Sequence, residues 1–233
     1  MITLRKHIEL MEHIHSGKTV STFMESMKPL EALDFSRASN KTYPIQQHLK
    51  QPKSDKKVYT TVESLVLGQF IMLEQIITGK TKLPDHLIDF EIAKLIIRPS
   101  HHVVFDNEDP KDEKSNEQDI LDMDVSEVYW VLEKFIENRN KTLFKDFSGV
   151  FYDSLDEDEV EENENQQQTS EASFNQQWYW YSIVRMLGNE DITKYDEIYM
   201  LSMSTVLPEM SFITQRSKIE AAKQRQEQAL RKL

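Results

Sequence analysis

The chain has 233 residues, 39% of them apolar, and only 5 glycines; that is enough for one large or two small domains, and too little glycine for a glycine-turned all-β fold, a Rossmann fold or a P-loop enzyme. It has no cysteine, which excludes disulfides, zinc ribbons, thiol nucleophiles and iron–sulfur clusters. The formal net charge is −12, and the mean hydropathy of −0.59 predicts a modest core.

Met1–Ser16 reads as a short amphipathic helix, with Ile2, Leu4, Ile8, Met11 and Ile14 or His15 on its apolar side and Gly17 as its stop. Thr19–Leu33 follows as a weaker helix carrying Phe23, Met27 and Leu30. Asp34–Lys57 is polar, holds Pro44 and Pro52, and reads as an extended arm whose lysines (Lys50, Lys53, Lys56, Lys57) are solvated. Thr60–Thr78 gives the clearest helical pattern. Thr60-Thr61-Val62-Glu63 matches a capping box, and Val62, Leu65, Val66, Phe70, Leu73, Ile76 and Ile77 form a broad apolar face ended by Gly79. Pro84 opens the next helix at a favoured first position, and Leu87, Phe90, Ile92, Leu95 and Ile96 run to Pro99. The short link predicts that these two helices pack as an antiparallel pair.

His101–Phe105 reads as a short extended piece and Asp106–Asp119 as a charged loop. Val125–Asn138 reads as a helix with Val128, Trp130 or Val131, and Phe135 inward. Lys141–Tyr152 either continues it or forms a short helix of its own. Asp153–Ser173 is acidic and then glutamine-rich. Asp153–Glu164 alone holds eight acids and no base, leaving about −4 for the rest of the chain. Such a segment buries too little apolar area to offset its ordering entropy, and a mobile linker is expected.

Phe174–Leu207 is the most informative stretch. Trp178, Tyr181, Val184, Arg185 and Leu187 recur at helical spacing, Gly188 reads as a C-cap, and Thr193 with Asp196 reads as the start of a second helix carrying Tyr195, Ile198, Leu201, Thr205 and Val206. The result is a helical hairpin with an aromatic seam. That seam either fills a core or grips a partner protein, since aromatic side chains anchor interfaces. Trp178 and Trp180 are two apart on one helix and therefore point to different sides. The tail, Gln215–Leu233, has six bases and two acids, and Ile219, Ala222, Gln226, Ala229 and Leu233 form a short heptad-like seam. Two heptads do not hold a helix in water alone, so the tail either frays or takes a partner, which can be itself, another protein or the acidic linker. The candidate partner-binding residues are Trp178, Trp180, Tyr181, Tyr195, Ile219 and Leu233.

The expected fold class is all-α: a helical bundle with a C-terminal helical hairpin, long polar linkers and a basic C-terminal helix. The expected divisions are an N-terminal helical arm at 1–33, a polar linker at 34–59, a helical domain at 60–152, an acidic, Gln-rich linker at 153–173, the hairpin at 174–214 and the basic helix at 215–233.

No catalytic signature is present: neither phosphate-binding glycine motif, nor G-x-S-x-G, nor H-E-x-x-H. His13 and His15 point about 200° apart on a helix and cannot share a metal. His101-His102 with Asp106, Glu108 and Asp109 is the one plausible ligand cluster; adjacent histidines diverge, so neither a metal nor any other cofactor is expected. Asp85 and Asp89 read as a solvated helix face. No apolar run is long enough to span a membrane, the N-terminus lacks a signal peptide's apolar region, and an acidic chain is a poor non-specific nucleic-acid binder.

Leu65–Leu73 (LVLGQFIML), Leu87–Arg98 before Pro99, the acidic loop from Phe105-Asp106-Asn107, and Trp178–Leu187 followed by Gly188-Asn189-Glu190-Asp191-Ile192 and Tyr195 together resemble the T4-type baseplate-hub and tail-assembly proteins of tailed bacteriophages. The resemblance covers roughly residues 60–210. It implies a non-enzymatic protein of the virion tail or baseplate, or an assembly chaperone of the tape-measure protein absent from the mature virion. Its partners would be other phage tail or baseplate proteins, and its place the host cytoplasm during assembly or the virion. Two other readings use different residues: an adaptor or DNA mimic whose acidic Asp153–Glu164 block binds a basic partner, and a metal-dependent enzyme built on His101, His102 and the acids that follow them, Asp106, Glu108 and Asp109.

Overall fold

The computed structural model describes residues 2–27, 49–52, 56–99, 110–151 and 170–231. It is an all-α fold, with ten α-helices and one two-stranded sheet among the described residues. The chain forms two compact units, Met1–Thr61 with Gln69–Asn138, and Val62–Gly68 with Arg139–Leu233.

In the first unit, α1 (Leu4–His15) starts at Thr3, whose hydroxyl accepts from the Lys6 amide, and ends before Gly17 at φ +80, a conformation that costs glycine no Cβ strain. Leu4, His7 and Leu10 form its buried face. The expected Ile8–Ile14 side is rotated away from this: Ile8 is half-buried and Ile14 exposed. The short α2 (Val20–Glu25) is closed by a capping box between Thr19 and Thr22 and buries Phe23. Strand β1 (Lys56–Val58) pairs antiparallel with β2 (Ile97–Pro99), Lys57 opposite Arg98. Lys56 is therefore not a solvated lysine of a polar arm; it forms an ion pair with Asp119.

Helix α3 (Leu67–Ile77) begins seven residues later than the Thr60 capping pattern implied. Val62–Ser64, which belongs to the second unit, is instead a single 3₁₀ turn, and within that unit Val66 makes a β-bridge to Ser202. The stop at Gly79 is as expected, at φ +69. Pro84 stands at the N-cap, one position before the first turn of α4 (Asp85–Ile96), and the Gln69 amide of α3 donates to the Leu95 carbonyl of α4.

The segment expected to be a charged loop contains α5 (Pro110–Asp122), a correction. Among its described side chains Ile120 is fully buried, and polar links join its neighbours to the rest of the unit. The Asn116 amide donates to the Ile97 carbonyl at 3.1 Å, and Glu117 meets Lys94 of α4 at 2.6 Å. Burial works against the charged form of Lys94, but Glu117 and Glu91 outweigh it and hold the ammonium above its ordinary pKa. Helix α6 (Val125–Lys141) buries Val128, Val131 and Phe135 as its spacing predicts, with Trp130 half-buried. The chain termini of α1 and α6 are joined by a bridge between Thr3 and Asp124, with the Leu4 amide on the Met123 carbonyl and the Val125 amide on the Ile2 carbonyl.

In the second unit, α6 runs into a π-turn, Thr142–Asp146, and then α7 (Ser148–Phe151). Helix α8 (Ser170–Leu187) already includes the last residues of the stretch expected to be a linker; the remainder of that stretch, 153–169, lies outside the described residues, as do 28–48 and the extended piece at 101–105. After α8 come a 3₁₀ turn (Ile192–Lys194), α9 (Tyr195–Tyr199) and α10 (Met203–Arg231). The second helix of the expected hairpin is thus broken. At Leu201–Met203 the chain turns extended, and backbone bonds run from the Leu67 amide to the Leu201 carbonyl and from the Met203 amide to the Leu65 carbonyl, each 2.8 Å. The basic tail from Gln215 is the second half of α10, continuous with a first half that is buried along one face. Pro208 lies inside α10 and removes the bond its amide would have made one turn back.

Candidate interaction surface

The turn between α8 and α9 is built differently from its sequence signals. Gly188 was expected to supply the left-handed residue; Asn189 at φ 55 and Glu190 at φ 63 do so instead. Asparagine tolerates that region. Glu190 is held there by its amide on the Arg185 carbonyl, 2.8 Å, and by its carboxylate on the Arg185 guanidinium, 3.1 Å. Gly188 serves a close approach: a Cβ there would lie 3.2 Å from the Tyr195 ring. The start signal is Asp191 rather than Thr193. Its carboxylate accepts from the Thr193 hydroxyl and amide, and these two bonds hold it below its ordinary pKa.

This turn brings three of the sequence-selected residues together. Trp178 meets Tyr181 edge to face at 5.7 Å, and Tyr181 meets Tyr195 at 6.0 Å. Desolvation, then the neighbouring Tyr181 phenol, raises the Tyr195 phenol above its ordinary pKa. The side chains that α8 buries are Ile183 and Val184. Trp178 is 42% exposed and Tyr181 44% exposed, so neither is a filled core position. Met186, Ile192 and Met200, on the same helix–turn–helix, are exposed too. Trp180 points elsewhere; it is half-buried against Tyr179, whose hydroxyl donates to the Val150 carbonyl at 3.3 Å.

Ile219 takes no part in the ring contacts. It lies on α10, roughly 24 Å along the axis from Met203 at 1.5 Å per residue. Leu233 is outside the described residues. The base of α10 is fixed by Met203, Val206, Leu207 and Met210, all buried, at the spacing of one helical face. Each such burial stabilises by about 1.5–3 kcal/mol. Beyond them the cover ends: from Gln215 to Gln228 every side chain is exposed.

One polar cluster in the first unit escaped the sequence reading. His7 is buried, its ring edge-on to Tyr129, with Nε2 3.1 Å from the Tyr129 hydroxyl. That hydroxyl donates to Asp89. A phenol has one proton, so His7 must donate through Nε2, giving a chain from imidazole to phenol to carboxylate. Burial, opposed by Asp89, lowers the His7 pKa below 6.5. Asp89 is therefore a half-buried, engaged acceptor and not part of a solvated face. The residues are 40 to 122 positions apart, and no local spacing announces them. His13 bonds Thr22, and no group of three or more potential metal ligands occurs among the described residues; His101, His102 and their acids lie outside them. No helix among the described residues is long and apolar enough to cross a membrane.

Compared with protein-family profiles, with curated proteins and with solved structures, the chain finds no match.

Proposed function

We propose that this protein is a non-enzymatic tail or baseplate component, or an assembly factor, of a tailed bacteriophage, and that it works through helical protein–protein contacts. The observation that carries the contact reading is the aromatic row Trp178–Tyr181–Tyr195. It is ordered by ring-edge contacts and a close-packed glycine, yet its two leading members are more than two-fifths exposed. Pre-ordered exposed aromatics bind at low entropic cost and are the side chains most enriched in interface hot spots. The phage setting is supported by the resemblance over residues 60–210.

The test is mass spectrometry of purified mature particles beside a pull-down from infected-cell lysate. Stoichiometric presence in the particle identifies a structural component. Absence, with the tape-measure protein in the pull-down, identifies its assembly chaperone. Absence from both refutes the proposal. Trp178→Ala with Tyr181→Ala should remove the partner while leaving thermal unfolding within a few degrees of the parent.

A further inference from the structure

The exposed half of α10 has a heptad-like charge pattern. Phe212, Ile219 and Gln226 are spaced by seven, and Gln215 and Ala222 fall three residues after Phe212 and Ile219. These are the a and d positions of a heptad repeat. Phe212 is 59% exposed and Ile219 57%. The four bases between Gln215 and Gln228 are Arg216, Lys218, Lys223 and Arg225. They occupy e, g, e and g, the positions flanking the seam on both sides. The two acids, Glu220 and Glu227, both take b, away from the seam. Arg216 also meets Glu220 at 2.9 Å, an exposed i,i+4 pair of the kind that contributes little.

We infer that the Gln215–Arg231 half of α10 is one strand of a heteromeric coiled coil whose other strand, from another protein, carries Glu or Asp at its flanking positions and a polar residue opposite Gln226. This rests on the contact reading above and names the partner's chemistry. Flanking charges choose the partner in coiled coils. Pairing with a second copy fails that criterion. In a parallel pair Lys218 would face Lys223 of the second copy, twice by symmetry; in an antiparallel pair e faces e and g faces g, again base against base. The seam is also unsuited to a bilayer: Gln215, Ala222 and Gln226 interrupt it, and a membrane-surface helix needs a broad apolar face. A nucleic-acid stripe would not place its bases in two rows around Ile219.

The experiment uses the full chain and two labelled helical peptides, identical in their apolar seam and their Asn opposite Gln226, one with Glu and one with Lys at every flanking position. Anisotropy at near-physiological salt should show the Glu peptide binding at least about tenfold tighter than the Lys peptide. Ile219→Asp should weaken the Glu peptide at least about tenfold. Arg216→Glu, Lys218→Glu, Lys223→Glu and Arg225→Glu combined should invert the preference. Circular dichroism of each variant confirms that it is folded. Equal binding of the two peptides overturns the inference. So does a homodimer in sedimentation that Ile219→Asp dissolves, or binding to anionic vesicles or duplex DNA as tight as to the Glu peptide. A gain of at least about tenfold in Glu-peptide binding on deleting 153–164 would assign the seam to the chain's own acidic segment and equally overturn it. If a particle or pull-down partner is found and is indifferent to Ile219→Asp and to the charge reversal, this inference fails and the contact reading stands. If no partner is found in either, the contact reading fails, while the peptide preference is read separately.

Discussion

Tyr129→Phe removes one oxygen from the middle of the His7–Tyr129–Asp89 chain and leaves the ring's packing intact. Two links are lost: a hydrogen bond donated to a carboxylate and one accepted from a buried imidazole. A bond to a charged group contributes about 1.5–3 kcal/mol. Tyr129 and Asp89 are half-buried, so water replaces part of the loss at the carboxylate, while His7, buried on α1, receives little such help. The expected cost is about 2 kcal/mol at pH 8. With a urea slope of about 2 kcal/mol/M, the midpoint should fall by roughly 1 M with the slope unchanged. Tyr129→Leu, which also removes the ring that His7 meets edge-on at 85°, should cost more. The assay is urea unfolding followed by tryptophan fluorescence and circular dichroism together. A loss below about 0.5 kcal/mol for Tyr129→Phe, the level of an ordinary surface substitution, would refute the chain as a structural link.

The same cluster sets a pH dependence. Because burial lowers the His7 pKa below 6.5, the unfolded chain binds that proton first; this contribution to stability is full above pH 6.5 and is lost as pH falls through the folded value. Urea midpoints from pH 8 to pH 5 should show that decline, and His7→Gln should flatten it. Phe135→Ala, at a fully buried position of α6, should destabilise by about 3–5 kcal/mol in the same assay. Gly188→Val would push a branched side chain into the Tyr195 ring and destabilise by about 1–3 kcal/mol, seen in thermal unfolding. Ile219→Asp, on an exposed face, should change stability by less than about 0.5 kcal/mol.

What was legible in the sequence is what periodicity and glycine encode. The Val128–Val131–Phe135 face, the stops at Gly17 and Gly79, and the all-α class all follow from spacing and composition. What was not legible depended on distant partners. Helix α5 has the composition of a solvated loop, and its inner face is organised by Lys94, Lys56 and the Ile97 carbonyl, none of which is near in sequence. The Thr60 capping pattern was outweighed by the extended pairing of Val66 with Ser202, which sends the chain through an irregular turn before α3 begins. Freedom in φ is what the sequence suggests at Gly188, whereas the space needed by Tyr195 is what restricts the position. In the interaction surface, spacing placed Trp178 and Tyr181 on one side of α8. Which side met the core was decided by Ile183 and Val184.

The continuity of α10 gives it a mechanical character. Its rod, roughly 43 Å long for its 29 residues and lacking one backbone hydrogen bond at Pro208, is buried along one face at its start and exposed beyond Gln215. A load applied near Ile219 is delivered through the helix backbone to Met203 and Leu207, and from there to the paired amides and carbonyls at Leu65, Leu67 and Leu201.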